Sequence, residues 1–465
     1  MRVLYLLTLA LLGPLTAFAQ TVVDDAYYER VLEEEAAVFA DCETLTTARA
    51  MCERIKAARF RAKYTDLKTF EHIEGKRRIP YREFVLVTYD PETDTYRDLV
   101  LGMPVDVTKT PNFQPIIRSS DDADCQVVRL RGQSLNKMVF RVTCAGRELQ
   151  AYAAKHLLFT EVKLSPLWSR REQTVQRIEE VVYLEVSPYF VNDESARAGQ
   201  AVFMQLIGQA FDELRERRVP SRSSPGHLVA EAIALDSVAN LLVTEQTDPC
   251  FRQNRPRGCD ALIPVRPYAN DAEVMRAVNT MFFLNGGISY RYMRSGAAAG
   301  GALQFTNNRT KRYIGTYNNI LKHYPEARLD PDFWQGTRSI RNLAKAAACL
   351  IDLERAGLPN WAREAYGRDP EFGLPILGAA YNGGAKQASI TARLIETFAK
   401  KRGIDEELFL FHLFPWDEFL AWIDQTGHKL VPETRVYIQK VIDATRHLYR
   451  HRPIMPAVNF EGDLG

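Results

Sequence analysis

The sequence predicts an α+β protein overall: a small N-terminal α+β part, followed by a mostly α-helical remainder. Three observations carry this. The chain has 465 residues, 46% hydrophobic and 25% charged, enough to bury a large core in two or three domains. Between Pro80 and Leu158 the texture is β-rich. From Ser165 onward apolar residues recur with helical spacing almost throughout. Lys+Arg 60 against Asp+Glu 58 leaves a formal charge of +2, which carries no electrostatic footprint for nucleic acid. Gly 26 and Pro 23 are ordinary, excluding collagen-like and low-complexity chains, and no fixed-period repeat signals a solenoid.

The N-terminus reads as a secretory signal peptide over residues 1–19. Arg2 supplies the positive region, Val3 to Leu12 the apolar run, and Ala17-Phe18-Ala19 the small-x-small cleavage site before Gln20. The run is short of the roughly 20 residues a spanning helix needs. The expectation is cleavage after Ala19 and export to the periplasm. Export permits disulfides, and six of the seven cysteines lie as neighbours in sequence: Cys42 with Cys52, Cys125 with Cys144, Cys250 with Cys259. Six cysteines allow fifteen connectivities, so local pairing is one choice among them. Cys349, in an Ala-rich helical pattern, reads as a small buried residue. The spacings lack a zinc pattern, and no metal is expected.

Along the chain, Ala26 to Arg61 reads as helical. Phe84 to Tyr89, the turn cluster Asp90 to Asp94 and the run Tyr96 to Val107 form a hairpin. Gln126 to Leu130 and Met138 to Thr143 are two further strands, flanked by Cys125 and Cys144. Residues 20–163 are thus expected as an α+β domain of open role: binding cell-wall material, meeting a partner protein of the envelope, or acting as a spacer. Residues 164–224 are expected as a helical connecting region, with amphipathic patterns over Arg171 to Val186 and Ala196 to Arg218. The break Ser221 to Pro225 precedes an all-α stretch over 225–452, and 453–465 is a tail.

Ser224-Pro225 suits a helix start. Leu228, Leu235 and Leu242 recur every seven residues, with Val238 between them, and Glu245 falls seven beyond Val238. This places a carboxylate on the apolar stripe in the last turn, before Asp248-Pro249. Desolvation and the negative end of the helix dipole would both raise its pKa. Such a Glu can hold a proton near neutral pH and donate it to a leaving group. A solvated Glu at a helix end is the plain alternative.

Three more segments carry polar groups in patterns that suit a ligand. Gly300-Gly301-Ala302-Leu303-Gln304-Phe305 sets two glycines, which permit close backbone approach, before an amide side chain. Gly378-Ala379-Ala380-Tyr381-Asn382-Gly383-Gly384 runs a small-residue helix into Tyr-Asn and stops it with two glycines. Pro432-Glu433-Thr434-Arg435-Val436-Tyr437-Ile438 opens a helix with Tyr437 one turn after Glu433. Each also fits an ordinary structural role.

Taken in order, the four segments resemble the transglycosylase domain of soluble-lytic-transglycosylase-like enzymes, which have a lysozyme-like fold. That family carries a catalytic Glu at a helix end, then Gly-Leu-Met-Gln, Ala-Tyr-Asn-Ala-Gly and Glu-Thr-x-x-Tyr-Val. The matching positions are Glu245, Gly301 to Gln304, Ala380 to Gly384, and Glu433 to Ile438. The resemblance covers about half the chain. Here Gln246 stands where the family has Ser, Ala302 where it has Leu, and Gly383 where it has Ala. The longer gap from Glu245 to Gln304, with Cys250, Cys259 and a helical stretch over Ala272 to Leu284, is similar to that of a long-insert subgroup. It suggests an insertion beside the cleft.

The resemblance implies cleavage of the β-1,4 bond between N-acetylmuramic acid and N-acetylglucosamine in peptidoglycan glycan strands, without water, giving a 1,6-anhydro product. It implies Glu245 as sole catalytic acid and base, with Gln304, Phe305, Tyr381, Asn382 and Tyr437 contacting substrate. Gly301, Gly383 and Glu433 would shape the site, and no cofactor is implied. Gln246 and Ala302 leave room for a binding protein that kept the fold without turnover. A lysozyme-like hydrolase is the third reading.

Overall fold

The computed structural model describes residues 25–75, 77–105, 113–131, 138–164, 173–184, 190–247, 270–293, 299–307, 309–310, 313–426 and 430–449. The expected signal peptide, the Cys250/Cys259 pair and the C-terminal tail lie outside them. Among the described residues no helix is long and apolar enough to cross a membrane.

The N-terminal helical stretch is two helices, α1 (Asp25–Ala37) and α2 (Arg49–Ala62). The break has a local cause. Asp41 accepts from the backbone N–H of Glu43 at 3.0 Å, turning the chain into a short 3-10 segment. The carboxylate of Glu194, far along the chain, then accepts from the backbone N–H groups of Thr46 and Ala48, filling the entry to α2. A Cys42–Cys52 disulfide closes the corner.

Eight antiparallel strands follow: β1 (Thr69–Glu74), β2 (Arg77–Asp90), β3 (Thr95–Pro104), β4 (Ile116–Ile117), β5 (Cys125–Arg131), β6 (Val139–Cys144), β7 (Arg147–Leu164) and β8 (Gln173–Tyr183). The order is β4-β3-β2-β7-β6-β5, with β1 also on β2 and β8 also on β7. The expected hairpin is β2–β3, its turn tightened by Asp90 accepting from Glu92 N–H at 2.9 Å. Cys125 and Cys144 face each other in the β5–β6 register and are bonded. Alternation along β2 sends Phe84 and Leu86 into one apolar cluster, and Val85, Val87 and Tyr89 into another that continues into the helices.

The helix expected over Arg171 to Val186 is wrong where it is described: that stretch is β8. It pairs with β7 from Ala154↔Tyr183 to Leu164↔Gln173. Its Val, Ile and Tyr residues fit either period, and an open ladder on β7 outweighs the helical spacing. The sheet therefore runs past the boundary expected at 163.

The helices are α3 (Asp193–Glu216), α4 (Val229–Ala232), α5 (Leu235–Gln246), α6 (Asp271–Asn285), α7 (Thr316–His323), α8 (Phe333–Gly336), α9 (Ile340–Ala356), α10 (Asn360–Arg368), α11 (Pro370–Arg402), α12 (Trp416–Thr426) and α13 (Pro432–Tyr449). Two short ribbons interrupt them, β9 (Ala299–Gly300) with β10 (Phe305–Thr306) and β11 (Arg309–Thr310) with β12 (Tyr313–Ile314). The architecture is α+β.

The helix expected from Ser224-Pro225 to Glu245 is also corrected. Ser224 and Pro225 lie in a turn, pinned by the buried carboxylate of Asp352. Asp352 accepts from Ser221 Oγ at 2.6 Å, from Arg222 N–H at 2.6 Å and from Ser223 Oγ at 2.5 Å. The helix then breaks between α4 and α5. The N–H of Ala234 goes instead to the Tyr366 hydroxyl at 3.3 Å, which also bonds Ser237 Oγ at 2.8 Å. Leu228 precedes α4 and Leu235 opens α5, and both are only half-buried, so the heptad drawn through them is not one face of one helix.

α1 packs on the helices rather than on the sheet. Glu35, 1% exposed, accepts from Ser339 Oγ at 2.6 Å and from the N–H groups of Ile340 at 3.1 Å and Arg341 at 2.9 Å. It thereby fills the N-terminus of α9 from another segment. Burial pushes its pKa up, and Arg291, 3.6 Å away, opposes the shift. The chain passes so near that a side chain at Gly287 would meet the Glu35 carbonyl at 2.0 Å.

Candidate active site

α5 is apolar on nearly all sides, with Val238, Ala239, Leu241, Leu242 and Val243 buried. Its mid-helix buried amide, Asn240, donates to the Val441 carbonyl at 3.3 Å and to Thr445 Oγ1 at 2.8 Å, fixing α5 against α13. Glu245 is in the last turn, and the helix ends at Gln246. Its neighbours Thr244 and Gln246 are buried, while Glu245 itself stays partly open to solvent. The placement expected from the stripe therefore holds for Val238 to Glu245.

The Tyr437 hydroxyl donates to Glu245 Oε1 at 2.6 Å. Burial raises the Glu245 pKa. The Lys440 ammonium and the Tyr437 hydrogen bond pull it down, and the charge of Glu433 pushes it up again; the balance is upward. Lys440 also lies 5.4 Å from the centre of the Tyr437 ring. The Tyr381 ring stacks on Tyr437 at 6.0 Å and 17°. Both phenols are held well above their ordinary pKa by burial and by the Glu245 charge, so both are neutral donors.

The second segment meets the third and the first through backbone oxygens. Tyr381 Oη donates to the Leu303 carbonyl, and Gln246 Nε2 donates to the Ala302 carbonyl. Gln246 Oε1 is buried with no partner among the described residues. Gly301 has φ +71, and a side chain there would meet the Thr337 carbonyl at 2.0 Å. The close approach expected of this glycine is thus to the protein's own backbone, not to a ligand. Gln304, at φ +49, turns its Nε2 back onto the Gly301 carbonyl at 2.7 Å. Phe305, expected to touch substrate, is 1% exposed and packs under Tyr381 at 5.9 Å. It is a core residue, because β10 directs it inward against α7 and α11.

Asn382 is half-buried, and its Oδ1 accepts from Thr434 Oγ1 at 2.9 Å. Its amide N–H groups have no partner among the described residues. Gly383 is tight: a side chain there would come within 2.7 Å of Thr434 Oγ1. The expected stop at the two glycines is a break inside α11. Gly384 takes φ 74 and ψ 177, and the helix resumes to Arg402. Glu433 is exposed in the first turn of α13 and acts on Glu245 through charge.

The structure thus gathers Glu245, Tyr437, Tyr381, Gln304, Asn382, Gly301 and Gly383 into one neighbourhood and sends Phe305 to the core. Sequence reasoning missed Lys440, Thr434 and the bridging role of Gln246. Lys440 lies three residues after Tyr437, on the same helical face, which was a usable signal. Among the described residues no group of three or more His, Cys, Asp or Glu could hold a metal ion. Comparison of the chain with family models, curated proteins and solved structures finds no match.

Proposed function

We propose that the chain is an exported peptidoglycan lytic transglycosylase, its helical half lysozyme-like, with Glu245 as its only acid and base. The observation that carries the reading is the Tyr437–Glu245 hydrogen bond, which joins the last of the four segments to the first. The raised pKa of Glu245 supports the acid form in the resting enzyme. Glu245 first gives its proton to the glycosidic oxygen, which leaves with the bonding pair from the anomeric carbon. The Glu245 carboxylate then takes the proton of the substrate's 6-hydroxyl as that oxygen bonds to the same carbon. The ring closes as a 1,6-anhydro sugar, and no water is consumed. Tyr437 orients the carboxyl group and stabilises the anion between the two steps, with Lys440 behind it. Tyr381 and Asn382 offer a ring edge and amide donors to the sugar.

A peptidoglycan-binding role without turnover is the second reading, favoured by the inward turn of the Gln304 amide. Digestion of purified sacculi with mass spectrometry of the soluble products separates the two. Anhydro-muropeptides from the wild type, absent with Glu245→Gln, are expected. Products heavier by one water would mean a hydrolase, and no products at all would leave a binding protein.

A further inference from the structure

A cavity of about 600 Å³ lies between α1, α2, β8 and the C-terminal end of α6. It is apart from Glu245: Met275 of α6 touches Thr247 beside the candidate site, and Phe283, lining the cavity, lies about 12 Å further along the helix. Its lining includes Lys56, Arg59, Lys63, Lys155 and Arg291, and no acidic residue among the described residues. Arg59 donates to the Val182 carbonyl at 2.8 Å and to Asn285 Oδ1 at 3.1 Å, and no carboxylate among the described residues reaches it. Arg291, 8% exposed, donates through Nη2 to the Leu32 carbonyl at 2.9 Å and lies 3.6 Å from the buried Glu35 carboxylate, while its Nε has no hydrogen-bond partner among the described residues. Lys56 and Lys63 stand exposed at the mouth, neither in an ion pair among the described residues. The other walls are apolar, with Phe39, Ile55 and Phe283.

A cationic group left half-buried without a countercharge is poorly solvated, and an incoming anion relieves that penalty. A volume in the range of small-molecule sites, with apolar walls and few polar groups, sets the rest of the ligand. We propose that this cavity binds an amphiphilic anion. Arg59, with Arg291 beside it, holds a carboxylate or phosphate head, and an aliphatic or aromatic body lies on Phe39, Ile55 and Phe283. Burial lowers the Arg59 pKa to about 10, which leaves it charged at neutral pH.

Titration calorimetry of the full chain with decanoate and with a short-chain phosphatidic acid, each below micelle formation, tests this. The two probes distinguish a free carboxylate from a lipid headgroup as the source of the anion. Saturable one-to-one binding of at least one is expected, with 1-decanol about tenfold weaker or worse. Arg59→Met is expected to weaken the bound probe by about tenfold. If circular dichroism shows that variant unfolded, Lys56→Glu with Lys63→Glu, both at exposed positions, decides the matter and should also weaken binding. The proposal is overturned if neither probe saturates, if decanol binds as well as the anions, or if the folded charge variants bind like wild type. The readout is binding alone, so it is independent of glycan cleavage.

Discussion

The hydroxyl of Tyr437 rests 2.6 Å from Oε1 of Glu245, a contact between residues 192 positions apart. It favours the ionised carboxylate, against the burial that favours the acid. Tyr437→Phe removes the first influence and keeps the second. The Glu245 pKa should then rise further, moving the alkaline limb of the pH–rate profile to higher pH. The rate at the optimum should fall about tenfold, as expected for one hydrogen bond to a charged group. The check is sacculus digestion across pH 4–9. A limb that stays in place would separate Tyr437 from the titration of the acid.

Glu245→Gln should abolish product formation, a loss of about a hundredfold or more for a general acid. Stability should move the other way. Because the folded pKa is raised, the contribution of Glu245 to stability is complete below the unfolded carboxyl pKa and is lost as pH rises through the folded value. Gln carries no charge at any pH. The variant should therefore melt above wild type at pH 8 and level with it at pH 4, as read by differential scanning calorimetry. A melting point lowered equally at both pH values would contradict a strained carboxylate.

Gly301 and Gly384 share a positive φ, +71 and +74, but not a neighbourhood. A methyl group at 301 meets the Thr337 carbonyl, whereas nothing lies within 4 Å at 384. Gly384→Ala carries only the backbone strain of φ 74 with ψ 177, a region open essentially to glycine alone, about 2 kcal/mol. Gly301→Ala adds a clash with backbone and should lose about 3 kcal/mol or more. Urea denaturation of both variants measures the gap. Equal losses would mean that the 301 turn can move away from α8.

How much of this was readable from residues alone depends on where each cause lies. The position of Glu245 followed from its spacing to Val238, because both belong to α5. The two described disulfides join sequence neighbours, and the β2–β3 hairpin carries its own turn residues. The break before α5 was hidden, because it is stabilised by Tyr366, 132 positions away. β8 was hidden because only the free edge of β7 distinguishes its pattern from a helix. Phe305 was misassigned because a motif names neighbours in sequence, while β10 turns alternate side chains away from one another.

Asp352 offers a test of the turn that replaced the expected helix start. It is fully buried and also accepts from Tyr324 Oη at 2.8 Å. Asp352→Ala leaves several buried donors without an acceptor and should destabilise the chain by about 3–5 kcal/mol. Asp352→Asn keeps the acceptor oxygen and should lose less. Chemical denaturation of the pair checks this, and similar losses would assign the effect to charge rather than to the hydrogen bonds.

Glu35 meets the N–H of Arg341 across 306 positions. During synthesis its carboxylate must wait until most of the polypeptide has emerged, so seating α1 is a late act of assembly. A version shortened at the front, made to isolate the helical half, would bare the amide groups that open α9 and the floor beneath them. Pruning this protein to its chemistry would remove part of what holds that chemistry in place.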